Sequence, residues 1–304
     1  MIDPRGQKAQ RADAEVRVRW AVRVRQGCAV TSRFHALHSA TTTVLLTHDD
    51  DVPRVLHWGR RLGDGAVEPA ALEALLDAPI PNGGLDTVTP LSLLPEHVRG
   101  WAAYGGISGH RPDGTAWAPL LRRTSSTAEP TSLTWTGADA IARISVTLVV
   151  ALDEHGVLSV AASLTNDGAD QYALDSLAPT IPLPARASEA MTLTGRWAHE
   201  MHSARHALGP YALVRESRRG RTSHESWPTI GIGTPGFSEQ RGEVWLAHLA
   251  WSGNHRLVVE TLPDGRRVLS ASDLLLPGEA MLAPGETYEA PTVLGAWSGS
   301  GLTT

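Results

Sequence analysis

From Phe34 onward, short runs of apolar and polar residues alternate with turn residues. Ile141 to Leu152 alternates with a period of two, the pattern of a strand with one face buried. Asp153-Glu154-His155-Gly156 turns the chain into a second such run, Val157 to Leu164, so the pair predicts a hairpin. Asn166-Asp167-Gly168 marks the next turn. Thr41 to Thr47 is a Thr/Val/Leu run closed by Asp49-Asp50-Asp51, and Val52 to Leu62 resumes it across Pro53 and Gly59. Further strands are expected at Tyr211 to Glu216, Glu243 to Trp251, Arg256 to Leu262 and Arg267 to Ser270, with a turn at Pro263-Asp264-Gly265. One stretch departs from the pattern. Ala70 to Leu76 is rich in helix formers and is bounded by Pro69 and Pro79, which predicts a short helix near residues 70–77. Many short strands and hardly any helix define an all-β protein. At this length the expectation is a large or doubled β-sandwich with one core shared by many strands.

Ahead of this body, Val16 to Arg25 alternates apolar residues with arginine, which would line one strand face with cations. Residues 1–33 are basic while the chain as a whole carries -5. They are read as an N-terminal extension, solvated or unfolded, ahead of a mildly acidic body at 34–297. Such a body lacks the clustered basic face of a nucleic-acid binder. Lys8 is the only lysine, so no P-loop, Schiff base or Ser-x-x-Lys chemistry is available beyond the first residues. The single Cys28 forms no intrachain disulfide. No apolar run approaches the roughly 18 residues of a membrane span, and the arginine-rich start has no apolar stretch behind it. The expectation is a cytoplasmic protein without membrane or nucleic-acid partners.

Histidine is the first chemical candidate. His202 and His206 are four apart, the spacing that points two imidazoles to one helix face, but no third ligand is evident and Gly209-Pro210 favours a loop. Ser223 sits beside His224, yet neighbours on a strand point to opposite faces, and no Gly-x-Ser-x-Gly elbow is present. Gly231-Ile232-Gly233-Thr234-Pro235-Gly236 imitates a dinucleotide fingerprint, but its proline reads as a loop. Paired carboxylates stay open, because a glycosidase needs only two, about 5 to 10 Å apart. Ten of the sixteen aromatics are Trp, which suits sugar rings as well as a core.

Several strings then carry a resemblance. Leu193-Thr194-Gly195-Arg196-Trp197-Ala198-His199-Glu200 is followed by Glu216 to Pro228, with Ser223-His224-Glu225-Ser226-Trp227 inside it. Next come Gly242-Glu243-Val244-Trp245 and Leu249-Ala250-Trp251-Ser252-Gly253-Asn254-His255, and finally Leu276-Pro277-Gly278-Glu279 and Leu282-Ala283-Pro284-Gly285-Glu286. Upstream stand Val55 to Leu62 and Ala178 to Pro184. In this order they resemble the N-terminal domain of the α-galactosidases of glycoside hydrolase family thirty-six, over roughly residues 35–304.

The resemblance implies an all-β, large two-sheet antiparallel β-supersandwich, non-catalytic, ahead of a (β/α)₈ barrel, with residues 298–304 as the start of the linker. The enzyme would be a retaining α-galactosidase acting on terminal α-galactosyl residues of melibiose and raffinose-type sugars, without cofactor or metal. Both catalytic aspartates would lie in the barrel, so this chain alone is expected to be inactive. Arg196, Trp197, Glu200, Ser223, His224, Ser252, Gly253 and Asn254 are expected to line the barrel-docking surface. The family also implies a homo-oligomer, in which Asp64 and Trp58 would reach a neighbour's galactoside pocket. The alternatives are a free-standing carbohydrate-binding or enzyme-docking module, and an unrelated sandwich enzyme with its own carboxylate pair.

Overall fold

The computed structural model describes residues 33–63, 71, 72, 74 and 88–303. Arg33–Thr304 forms one compact unit. The basic extension before it, apart from Arg33, lies outside the described residues, as does Asp64. Of the predicted short helix, Ala71, Leu72 and Ala74 are helical and the rest is outside the described residues.

The structure is almost entirely antiparallel β. One sheet has ten strands. From edge to edge it runs His199–Ala207, Glu189–Arg196, Thr229–Gly233, Val244–Leu249, Val293–Ser298, Leu158–Asn166, Ile144–Leu152, Ser132–Asp139 and Arg122–Glu129, with Thr287–Glu289 also pairing Leu158–Asn166. Ile144–Leu152 and Leu158–Asn166 alternate between buried and outward residues, as their sequence pattern dictates. Facing this sheet are three smaller ones. The first is Phe34–His38, Thr42–Thr47 and Val55–Arg60; the second is Thr180–Leu183, Arg267–Asp273, His255–Thr261 and Ala212–Ser217; the third is Ala280–Leu282, Tyr172–Leu177 and Ile107–His110. Each meets the ten-stranded sheet, and all four sheets contribute to one hydrophobic core. The supersandwich is therefore present, with its second layer divided into three sheets.

Two readings of local structure are corrected. His199–Ala207 is a strand, not a loop, formed by edge pairing with Glu189–Arg196. Lying at the rim, it buries no alternating face and so shows no apolar period. Gly231 to Gly236 reads as a loop in sequence, but Gly231 to Gly233 belong to the interior strand Thr229–Gly233; Gly233 is needed because a Cβ would lie 2.6 Å from the Glu243 carbonyl. Residues 298–303 stay with the sandwich, since the Leu302 and Thr303 amides donate to the Ser238 and Glu239 carbonyls at 3.1 and 3.0 Å.

A buried polar row crosses the four-stranded sheet, where Ser217 pairs His255 and His255 pairs Asp273. His255 is fully buried, and its Nε2 has no partner. Burial holds its pKa below the ordinary value, and the nearby Arg215 and His248 push the same way against a bond to the Gly253 carbonyl. Above pH about 6.5 the imidazole is neutral in both states. Below that, the unfolded chain takes up a proton that the folded chain resists, so stability falls on acidification. The thermal midpoint should therefore drop between about pH 7 and pH 5, and drop less in His255→Gln. Equal slopes in both proteins would show that His255 is not the titrating group. Asp273, raised by burial, has the opposite sign: its stabilisation is fully present below about 3.9 and is lost as pH rises through its raised value.

Candidate functional site

Three elements converge at one end of the sandwich: the hairpin of Glu189–Arg196 and His199–Ala207, the loop at 218–228, and the loop at 250–254. The hairpin closes tightly because Gly195 has no Cβ, which would sit 2.5 Å from the His199 carbonyl. Ala198 (φ 56) and Met201 (φ 61) take the left-handed conformation that non-glycine residues rarely adopt. This backbone puts the Trp197 indole into solvent, 81% exposed, and leaves Met201 52% exposed.

Glu200 locks the tip by accepting the Ala198 amide at 2.8 Å, and its Oε1 faces His224 Nδ1 at 3.8 Å. The His224 ring meets Trp197 edge-on at 5.9 Å, and His199 and His202 lie against each other at 3.9 Å. Arg196 lines the same surface beside Glu225. Glu225 pairs with Arg219 at 2.5 Å, and its carboxyl is held below the ordinary range by its own backbone amide, the Ser223 hydroxyl and Arg219.

The other loop is tied in by backbone. The Thr222 amide donates to the Ser252 carbonyl at 2.6 Å, and the Gly220 amide to Asn254 Oδ1 at 2.7 Å. Gly253 lets the chain pass the Trp251 indole, where a Cβ would lie 2.6 Å from Nε1, and Trp251 stays 45% exposed. Ser223 is buried and accepts from the Ser217 hydroxyl at 3.1 Å, so it braces the loop from beneath. The structure thus brings the eight candidates from three distant segments to one end, five of them through direct pairings.

Trp58 is elsewhere. It is 5% exposed, it stacks over Gly295, and its carbonyl accepts Trp245 Nε1 at 2.9 Å. It only borders a groove of about 420 Å³ between Val55–Arg60, the 88–91 segment and Pro182–Pro184. Sequence reading missed this groove, because its walls come from segments that are far apart in the chain, at 54–58, 88–91, 182–186 and 266.

The site offers little for bond-breaking chemistry. Carboxyls raised by burial are Glu96, Glu260 and Asp273, and each already takes a protein donor: the Leu121 amide with Arg99, the Tyr104 amide, and the Tyr288 hydroxyl. Such carboxyls are structural acceptors. No group of three metal-ligating side chains occurs among the described residues. His202 and His206, four apart on a strand, are separated by about 13 Å along it, out of chelating range.

A large antiparallel sandwich that carries exposed tryptophans at one end defines a surface-presenting β domain. Residues 51–283 match the model of the glycosyl hydrolase family 36 N-terminal domain, and the chain belongs to that family. It is 38% identical over 248 residues to an alpha-galactosidase of Escherichia coli, covering 82% of this chain and 34% of that protein. It is 28% identical over 166 residues to alpha-galactosidase AgaA of Geobacillus stearothermophilus, covering 54% of this chain and 23% of that one. The crystal structure of AgaA A355E with 1-deoxygalactonojirimycin superposes with a TM-score of 0.75 at 21% identity, over 88% of this chain and 41% of that one. An alpha-galactosidase from Lactobacillus brevis gives 0.76 at 18% identity, over 88% of this chain and 40% of that one. The chain spans about a third of the length of the curated relatives it matches most fully.

Proposed function

We propose that this chain is the non-catalytic N-terminal domain of a retaining enzyme that removes terminal α-galactosyl residues, and that its tryptophan-bearing end docks a (β/α)₈ catalytic barrel. The observation that carries this reading is the family match over residues 51–283 combined with coverage of a third of the E. coli relative. Retaining hydrolysis needs two carboxyls about 5 Å apart beside a sugar pocket. Here the buried carboxyls are committed to internal bonds, so the chemistry is assigned to the barrel. Exposed Trp197, Met201 and Trp251 supply the apolar anchors of a docking surface, and Arg196, Glu200 and His224 its polar rim. Homo-oligomeric assembly, the contact of Asp64 with a neighbour's galactoside, with buried Trp58 backing the pocket wall, and a cytoplasmic location belong to the same proposal.

The purified chain is expected to leave a chromogenic α-galactoside intact, yet to co-purify with the barrel portion of the E. coli relative. Trp197→Ala combined with Trp251→Ala should weaken that association by at least about tenfold. Hydrolysis by the chain alone would overturn the non-catalytic assignment. Co-purification unaffected by the double substitution would move the docking surface elsewhere.

A further inference from the structure

Away from that end, a second group of aromatic rings faces solvent. Trp117 is 62% exposed and Tyr104 42%. Their presentation is built into the backbone. Ala116, the residue before Trp117, has φ 60, a left-handed conformation retained without glycine. The His97 ring lies 6.5 Å from the Trp117 ring and is fixed by the bond between Nδ1 and the Trp101 carbonyl at 2.9 Å. The same imidazole abuts Gly105, where a Cβ would come within 2.7 Å of Nε2, so His97 bridges Trp117 to the Tyr104 segment.

Beneath them, buried Trp101 packs with Leu262 and Val268 in a small satellite core and donates Nε1 to the Tyr104 carbonyl at 2.7 Å. The rings therefore stand on a rigid base. Polar groups surround them: Arg256 lies over the Tyr104 ring at 5.7 Å, and Glu260 accepts the Tyr104 amide at 3.2 Å. Solvent-exposed aromatic faces with an imidazole and a guanidinium close by match a pyranose. Its C–H face stacks on the ring while its hydroxyls bond the rim.

We propose that Trp117, Tyr104 and His97 form a carbohydrate-binding platform that holds galactosylated polysaccharide. The galactosyl class rests on the proposed function; the platform itself rests on the geometry. The test is affinity electrophoresis of the purified chain through gels containing galactomannan or unbranched mannan. Galactomannan should retard the chain. Trp117→Ala and Tyr104→Ala should each raise the apparent dissociation constant about tenfold or more, while Trp197→Ala leaves it unchanged. No retardation, or retardation that persists in both platform variants, overturns the proposal. Equal retardation by unbranched mannan, lost in Trp117→Ala, overturns the galactosyl assignment alone. Neither result bears on whether the chain docks a barrel, which the co-purification measures.

Discussion

Replacing Arg111 by methionine is expected to destabilise the domain by about 3–5 kcal/mol in urea unfolding. Arg111 is 9% exposed, and its guanidinium is held mainly by carbonyls. Nη1 donates to Asn166 Oδ1 at 2.8 Å and to the Asp170 and Gln171 carbonyls at 2.6 and 3.3 Å, while Nη2 donates to the Ala142 and Arg143 carbonyls at 2.8 and 3.0 Å. Its face covers the Tyr172 ring at 5.3 Å. The side chain thus clamps two turns of the large sheet to the Tyr172–Leu177 strand. Methionine fills most of the space but leaves those acceptors unsatisfied. Gly168→Ala attacks the same clamp, because its Cβ would lie 2.3 Å from Nη2. The two substitutions share one network, so their effects should be clearly less than additive. A loss under about 1 kcal/mol for Arg111→Met would mean that water replaces the clamp at no cost.

Trp245→Ala is the second large effect, about 3–5 kcal/mol. Trp245 is fully buried, and its indole joins the two layers by donating to the Trp58 carbonyl at 2.9 Å. Arg186 stacks over the ring at 5.2 Å and pairs with Glu243 at 2.5 Å, and Glu243 also accepts Trp297 Nε1 at 2.9 Å. Alanine removes ring, hydrogen bond and stack together. Phenylalanine keeps an aromatic ring and removes the donor, leaving the Trp58 carbonyl short of a partner for about 1–3 kcal/mol. If Trp245→Phe is as stable as the parent, the layers are joined by packing alone.

Much of this architecture was legible wherever burial is one-sided. Ile144–Leu152 and Leu158–Asn166 announce themselves by alternation, and the turn between them by Asp153, whose carboxylate accepts the His155 and Val157 amides, and by Gly156 at φ 87. The strand expected from Ile141 begins only at Ile144, because residues 140–143 form the turn that leaves Ile141 in solvent. Polar edge strands escaped detection for the converse reason: His199–Ala207 buries no face that could impose a period. The site was legible as a set of strings and not as a shape. Nothing in local sequence places His224 against Trp197, or Asn254 against Gly220, since those contacts depend on the order of strands in two different sheets. The platform at Trp117 was less visible still, because a lone tryptophan reads equally as core.

The position of Val293–Ser298 bears on how the chain is made. This strand lies between Val244–Leu249 and Leu158–Asn166, so it alone joins the two halves of the ten-stranded sheet. Synthesis delivers it after the other described strands of the sandwich. Until it leaves the ribosome, the halves expose facing unpaired rims, the state most open to mispairing. Closure thus requires contacts between residues more than a hundred positions apart, which makes it a slow step. A nascent chain halted before Val293 would be a substrate for chaperones, while one halted with Ser298 already clear of the ribosome closes.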